Sequence, residues 1–266
     1  MGVSLKYLVD ESDLVLIGIG EEWGFKPDYF NDSKLKEDFD NNKDTFLWLM
    51  PYIEYYYLSK KYTDNRLESY KKLRNIIGDK EYFLISTVPN ELAIQAGFSD
   101  EKAVSPCGNY RFLQGMENST GRLFNIDEVP GFDHLMNQVE RYIKHEIDIT
   151  EVEKLYFNGE QIIFNQKIVE LRGEIYNEQA YLNNWQKYMD WLMHTMNKRL
   201  LIIELGVGMQ YPTVIRFPFE KLTYVNNRAR MVRVHDKLFQ LTKEISEKSQ
   251  GVQMNSIDFI MQESDG

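Results

Sequence analysis

The chain has 266 residues, of which 43% are hydrophobic and 27% are charged, a composition typical of soluble globular proteins. Its formal net charge of −10 argues against a general nucleic-acid-binding protein, which needs excess lysine and arginine to bind phosphates. The single cysteine, Cys107, excludes an internal disulfide and a multi-cysteine zinc site, and no apolar run reaches the roughly 18 residues that span a bilayer. The acidic N-terminal segment does not resemble a signal peptide, so the expected location is the cytoplasm, with no membrane partner.

The first third of the chain is predicted to alternate between strands and helices. The apolar run 13–20 predicts a buried strand that ends in a glycine turn, and 82–87 predicts a second strand. Apolar residues at helical spacing predict three helices, over 46–62, 65–78 and 90–98. Gly78 and Gly97 are the expected ends of the second and third helices.

The middle of the chain has a different sequence pattern. Residues 107–180 alternate in polarity, and Asn158-Gly159 predicts a hairpin turn, so this part is expected to form a small strand-containing lobe. Helical spacing returns at 180–196. One stripe of that helix is predicted to face the core, namely Leu182, Trp185, Met189, Leu192 and Met196.

The last third carries a second glycine turn. The apolar run 199–208 ends in Gly206 and Gly208, and 222–228 and 234–248 are predicted to be a strand and a helix. Strands that alternate with helices predict an α/β fold with a mainly parallel sheet, in which ligands bind at the carboxyl ends of the strands. The two turns therefore predict a nucleotide site, although a glycine turn after a strand also occurs without a ligand.

The order of these pieces resembles the sirtuin (Sir2) family, most closely its bacterial branch linked to macrodomain proteins. Gly18-Ile19-Gly20 stands where that family has a Gly-Ala-Gly phosphate loop, and 24–30 loosely matches the Gly-Ile-Pro-Asp-Phe-Arg run that follows. "FLISTVPNELAIQAGF", "SPCGNYRF" and "ELGVGMQYPTVIRFPFEKLTYVNNR" follow in the family's order. The resemblance implies a Rossmann-like, sirtuin-type lobe of residues 1–106 and 181–266, and an insertion lobe of residues 107–180 without zinc.

Several positions depart from the family pattern. In an ungapped frame, the asparagine and aspartate that the family uses to hold nicotinamide and ribose fall on Val88 and Asn90, and the catalytic histidine falls on Cys107. Glu21 and Glu22 occupy the phosphate loop, where two carboxylates would repel a pyrophosphate unless they point away.

The resemblance and the strand ends together give a set of candidate site residues. The candidate catalytic residues are Cys107 and Asn90. The candidate cofactor-binding residues are Gly18, Ile19, Gly20, Glu21, Glu22, Thr87, Glu204, Gly206, Gly208 and Asn226. Glu204 is expected either to contact a ribose or to cap a loop amide, and Asn226 either to bind a ribose or to serve as a plain turn residue. The expected ligand is NAD or ADP-ribose.

Three functions of different classes follow from this pattern. A sirtuin-like protein could bind NAD or ADP-ribose with reduced or absent deacylase activity, because the adenosine end keeps its elements while the reactive end has lost them. An active deacylase or ADP-ribosyltransferase would need Cys107 as base or nucleophile, with Glu21 or Glu22 stabilising a cationic transition state. A protein kept for interaction alone is the third, with the carboxylates in the phosphate loop and the aromatic segment 48–57 in its favour.

One alternative from another family begins from the same second turn. "LLIIELGVGMQYP" also resembles the first motif of methyltransferases that use S-adenosylmethionine. That fold needs several further strand–helix units after the motif, and the sequence has too few residues beyond Gly208 to supply them unless the order is permuted.

Overall fold

The secondary structure follows the apolar pattern over most of the sequence. The computed structural model describes residues 4–24, 32–60, 65–117, 121–167 and 176–263. The elements of the first half are α1 (Leu5–Glu11), β1 (Leu14–Ile19), α2 (Ser33–Asn41), α3 (Lys43–Lys60), α4 (Asn65–Ile77), β2 (Glu81–Ser86), α5 (Leu92–Gln95), β3 (Ala103–Val104), β4 (Gly108–Gly115) and β5 (Leu123–Asn125). Those of the second half are α6 (Phe132–Ile143), β6 (Tyr156–Phe157), β7 (Glu160–Gln166), α7 (Gln179–Met193), β8 (Leu200–Leu205), α8 (Arg216–Val225), β9 (Arg230–Val234), β10 (Ser249–Val252) and α9 (Ser256–Gln262).

A parallel sheet organises the first of two compact units. Within the described residues its six strands have the order β10-β9-β8-β1-β2-β3, and each neighbouring pair runs parallel. The unit consists of Met1–Gly24, Asp64–Gly108 and Tyr181–Gly266. The central strands are buried along almost their whole length, as expected for a parallel sheet covered on both faces. The mixed α/β architecture predicted from the sequence is thus confirmed.

The second unit consists of Phe25–Thr63 and Asn109–Ala180. It therefore includes residues 25–63, which the sequence pattern assigned to the first lobe. Its strands, as far as they are described, form a sheet of order β5-β4-β7-β6 with antiparallel β4–β5 and β6–β7 pairs. The predicted hairpin turn is present, since Asn158 and Gly159 both have positive φ angles, of 52° and 85°.

The aromatic segment of α3 forms the core of this second unit rather than a partner surface. Trp48, Tyr52 and Tyr56 are buried, and the hydroxyl of Tyr52 donates to the carbonyl of Ile162 over 2.8 Å. The ring of Tyr52 lies 4.9 Å from that of Phe164, a distance typical of favourable aromatic pairs. A buried hydroxyl that is hydrogen bonded needs no external partner.

Three predictions about the last part of the chain are wrong. Residues 216–225 form the helix α8, and the strand is β9, which starts at residue 230. Residues 234–248 are mostly irregular instead of helical. The stripe predicted for α7 does not face the core as a whole, because Leu182, Met189 and Met196 are more than 40% exposed, whereas Tyr188 of the same helix is buried.

Candidate functional site

Two glycine turns meet where the chain order reverses across the sheet. β1 pairs with β2 on one side and with β8 on the other, so Ile19 and Leu205 are adjoining carboxyl ends. The N–H of Gly20 donates to Leu205 O over 2.9 Å, and the N–H of Glu22 donates to Gly206 O over 3.2 Å. In open parallel sheets, the crevice at such a switch point is where ligands bind.

The glycines of the first turn are needed for packing, with or without a ligand. A Cβ on Gly18 would lie 2.5 Å from Cγ2 of Ile215 and 2.6 Å from Cε2 of Phe219. A Cβ on Gly20 would overlap the backbone of Val207. Glycine is the residue that permits such close approach. Gly18 and Gly20 therefore let α8 and the second turn reach β1, and by themselves they do not indicate a ligand.

The carboxylate of Glu21 binds the backbone of the second turn. Its Oε2 accepts a hydrogen bond from the N–H of Gly208, and its Oε1 accepts one from the N–H of Gln210 over 3.2 Å. A Cβ on Gly208 would lie 2.9 to 3.1 Å from the carboxylate atoms, so a glycine at this position gives the carboxylate room. Backbone amides that converge on an anion are a common phosphate cradle. Here the chain's own carboxylate lies in the cradle.

Glu22 makes a second set of such contacts. Its Oε2 accepts from the N–H of Ser256 over 2.8 Å and from the hydroxyl of Ser256 over 2.6 Å, and its Oε1 accepts from the N–H of Asp236 over 2.9 Å. Gly206 has a φ of +63°, and a Cβ there would lie 2.5 Å from the Cβ of Glu22. Glu22 thereby connects the first turn to the end of β9 and the start of α9. We call Glu21 and Glu22, with the amides that they bind, the carboxylate clasp.

His235 lies beside the clasp, directly after β9. Its side chain is only 13% exposed, and it does not belong to a helix, although the sequence pattern predicts one over 234–248. Its Nδ1 accepts from the N–H groups of Lys237 and Leu238 over 3.0 and 3.2 Å, and lies 3.2 Å from Oε1 of Glu22. Burial lowers the pKa of His235 below its ordinary value. A neutral imidazole with a bare Nδ1 fits the two amide donors.

Glu204, a candidate ribose contact, is instead sealed in a buried ion-pair network. Arg233 binds it in a bidentate manner, with Nε 2.7 Å from Oε1 and Nη2 3.0 Å from Oε2. Arg216 lies 3.2 Å from Oε1, and Arg233 also donates to Glu220 over 2.8 Å. Burial raises the pKa of Glu204, and the two guanidiniums act against that shift. A fully buried carboxylate with two cationic partners is not available to a ligand.

Two candidates near the first turn have structural contacts. Ile19 is fully buried in the core, and its carbonyl accepts a hydrogen bond from the N–H of Thr87 over 3.0 Å. Thr87 is itself buried, and its hydroxyl lies 3.4 Å from the same oxygen. Both residues therefore fix the carboxyl ends of β1 and β2 to each other.

The positions that correspond to the family's reactive groups are also buried or engaged. The side chain of Asn90 accepts from the N–H of Leu92 over 3.2 Å and donates to Trp23 O over 3.3 Å. Val88 is 3% exposed and Cys107 is 4% exposed. The side chain of Asn90 thus forms an Asx turn directly before α5, whose N-cap residue is Glu91. A buried thiol of this kind is ordinarily inert.

Asn226 lies at the opposite edge of the sheet from the glycine turns. Its amide donates to Thr195 O over 3.1 Å and accepts from the N–H of Arg228 over 3.0 Å. It follows α8 and precedes β9, so it is at the amino-terminal side of the strands. The prediction of a ribose contact rested on a strand over 222–228, which is absent from that described segment. The residue that follows the carboxyl end of β9 is His235.

Sequence reasoning missed the side chains that complete this edge, namely Trp23, Arg216, Arg233, His235 and Ser256. The Nε1–H of Trp23 donates to the hydroxyl of Ser256 over 2.9 Å, and these two residues lie far apart in the sequence. The apolar residues of "RMVRV" are a local signal for a buried strand, on which Met231 and Arg233 share one face. The segment 24–30, which was compared with a family motif, lies outside the described residues beyond Gly24.

No metal site is found in the part of the chain that the structure describes, where no three His, Cys, Asp or Glu side chains lie close enough to hold an ion. None of the described helices is both long and apolar enough to cross a membrane.

Comparisons with known proteins agree on the fold. Two solved structures of Sir2 homologue mutants in complex with ADP-ribose each superpose with a TM-score of 0.52 at 10% identity, and cover 98% of this chain and 94% of theirs. The chain has a sirtuin-like fold. No protein-family model matches it.

Two curated proteins resemble the chain in sequence. A protein ADP-ribosyltransferase of Staphylococcus aureus is 17% identical over 264 residues, which are 92% of this chain and 81% of that protein. A probable bifunctional ADP-ribose hydrolase/ADP-ribosyltransferase of Fusarium oxysporum is 25% identical over 165 residues, which are 61% of this chain. The match spans only 26% of the length of the Fusarium protein.

Proposed function

We propose that this chain binds NAD or ADP-ribose at the carboxyl ends of β1 and β8 and does not turn the ligand over. The observation that carries the proposal is the pair of glycine turns at the switch point of the parallel sheet, where open α/β folds bind nucleotides. The amides of Gly208 and Gln210 already converge on a carboxylate, so their geometry suits an anion. The names of the curated relatives support a ligand of the ADP-ribose class.

The carboxylate clasp sets the expected strength of binding. A pyrophosphate that uses the amides of Gly208 and Gln210 must first displace Glu21, and a second carboxylate, Glu22, stays nearby. Unit charges of the same sign at about 4 Å repel by about 4 kcal/mol when the effective dielectric constant is about 20. We therefore expect weak binding, with Kd on the order of 0.1 to 1 mM.

The side chains of the described reactive edge do not supply the groups that turnover needs. Cleavage of the nicotinamide–ribose bond needs a base for the acceptor and polar groups that hold the ribose. At the corresponding positions, Val88 and Cys107 are buried, and the side chain of Asn90 is hydrogen bonded to the backbone of Trp23 and Leu92. None of them is placed as an accessible base.

An active ADP-ribosyltransferase is the second candidate, because both curated relatives carry that name. In that reaction the bond between nicotinamide and ribose breaks, the acceptor forms a bond to the same ribose carbon, and a base takes the acceptor's proton. One experiment separates the candidates. NAD and ADP-ribose are titrated into the full chain by calorimetry, and nicotinamide release is followed in the same samples.

Binding of either ligand without nicotinamide release is the expected result. Release above the rate of a protein-free sample would replace our proposal by the transferase. No heat at about 5 mM of either ligand would exclude both and leave a role in protein interaction.

A further inference from the structure

A cavity of about 670 Å³ opens at the amino-terminal edge of the parallel sheet, opposite the glycine turns. Its walls come from the end of α1 and from the starts of β8, β9 and β10. The volume lies within the range of about 300 to 1,000 Å³ that is usual for small-molecule sites. All its lining residues belong to the first unit, and none is part of the candidate site described above.

The lining of this cavity is basic, although the chain as a whole is acidic. Four cations line it, Arg199, Arg228, Arg230 and Lys248, against the two carboxylates Glu11 and Glu247. Arg199 is neutralised by Asp13, which lies 2.6 Å from its Nη2. The other three cations have no carboxylate within 4.0 Å in the described part of the chain. In a chain of net charge −10, this is a local excess of positive charge.

The contacts of these three cations leave donors for a ligand. Lys248 donates to the carbonyls of Tyr224 and Asn226, so it caps the end of α8, a usual role for lysine. Burial lowers the pKa of Lys248, as expected for an ammonium whose partners are neutral. Arg228 uses one guanidinium nitrogen for the carbonyl of Asn197, over 3.1 Å. The side chain of Arg230 has no hydrogen-bond partner among the described residues, and helix capping does not account for it.

The rest of the lining gives the cavity an apolar base and a further hydroxyl. Leu201, Met231 and Val232 line it and are at most 3% exposed. The hydroxyl oxygen of Ser249 is buried and has no hydrogen-bond partner in the described structure. A buried polar atom without a partner is uncommon and calls for one. Guanidinium groups suit phosphate in particular, because their donors match its oxygen geometry.

We propose that this cavity binds a phosphorylated small molecule of nucleotide size, whose phosphate is held by Arg228, Arg230 and Lys248. The proposal does not depend on the function of the glycine turns, because the two sites share no residue.

The test uses the full chain and two probes, AMP and adenosine, titrated by calorimetry. We expect AMP to bind and adenosine to bind at least about tenfold more weakly, because the phosphate supplies the main contact. The double variant Arg228→Gln/Arg230→Gln should weaken AMP binding at least about tenfold. The matched control is Lys71→Gln/Lys187→Gln, which removes the same charge from two exposed ion pairs and should change Kd by less than about twofold.

Three results would overturn the proposal: no AMP binding at about 5 mM, equal binding of adenosine, or an unchanged Kd in the double variant. If the double variant does not fold, the single variant Arg230→Gln serves, since its exposed side chain makes no hydrogen bond in the described structure. ADP-ribose titrated into the double variant separates the two sites. Unchanged ADP-ribose affinity assigns AMP alone to the amino-terminal edge, whereas an equal loss of both would place both ligands in this cavity and refute the binding of ADP-ribose at the glycine turns.

Discussion

Replacement of Glu21 tests whether the clasp competes with a nucleotide. In Glu21→Ala the amides of Gly208 and Gln210 lose their acceptor, and the repulsion of a pyrophosphate by the carboxylate disappears. Each hydrogen bond to a charged group contributes about 1.5 to 3 kcal/mol, but both contacts are partly open to solvent. We therefore expect Glu21→Ala to lower the free energy of unfolding by about 1 to 3 kcal/mol without ligand.

The same change is expected to act in the opposite direction on binding. Loss of the competing carboxylate should tighten ADP-ribose binding by about 10- to 100-fold, which corresponds to about 1.4 to 2.7 kcal/mol. Glu21→Gln removes the charge but keeps one carbonyl oxygen for an amide, so its affinity should lie between wild type and Glu21→Ala. The control is Glu68→Gln, an exposed carboxylate of α4 that is paired with Lys71.

Urea unfolding gives the stability of each variant, and calorimetry with ADP-ribose gives the affinity. Weaker or unchanged ADP-ribose binding in both Glu21 variants, with wild-type stability retained, would refute the competition. Binding of ADP-ribose to neither wild type nor variants would instead refute the nucleotide proposal itself.

Three further predictions concern packing and charge in the first unit. Gly18→Ala should lower the free energy of unfolding by about 1 to 3 kcal/mol, measured in urea, and addition of Phe219→Leu should recover part of the loss, because the new Cβ would lie 2.6 Å from that ring. Arg233→Met should lower the free energy of unfolding by about 3 to 5 kcal/mol, because Glu204 stays buried without this partner. The double variant Glu204→Gln/Arg233→Met should lose less stability, and an equal loss in both variants would contradict the ion-pair argument. The pKa of His235 is lowered in the folded protein, so the unfolded chain binds more protons. The stability of the folded chain should therefore fall as the pH drops below about 6.5. His235→Asn should flatten this dependence, measured by thermal unfolding between about pH 5 and 8.

The elements that could be predicted from the sequence are those fixed by local pattern. β1, β2 and β8 are continuous apolar runs, and such runs are buried wherever a parallel sheet forms. The end of α4 and the β6–β7 hairpin were also predicted, because Gly78, Asn158 and Gly159 adopt the positive φ angles that their residue types favour. In each case the decisive interactions lie within a few residues of one another.

β9 was not predicted because a buried charge interrupts its apolar pattern. "RMVRV" places Arg233 in the middle of the sheet, where it is tolerated only because Glu204 lies opposite on β8. The segment 234–248, which begins at the end of β9, is predicted to be a helix because it contains several lysines and glutamates. Carbonyls in that segment instead accept hydrogen bonds from buried arginines, Leu238 O from Arg216 and Gln240 O from Arg233. Both errors arise from one non-local ion-pair network.

At the candidate site, too, the decisive contacts are non-local and cannot be predicted from the local sequence. From the sequence, Glu21 and Glu22 could be read as groups that repel a phosphate or as groups that stabilise a cation. Their amide partners are about 190 to 230 residues away, at Gly208, Asp236 and Ser256, and no local pattern indicates them. Glycine at 206 and 208 suits a phosphate and a carboxylate equally well, because either anion needs bare amides and space near the turn. In this protein the amides of the second glycine turn bind an anion, and only the contacts of the neighbouring side chains show that this anion comes from the chain itself.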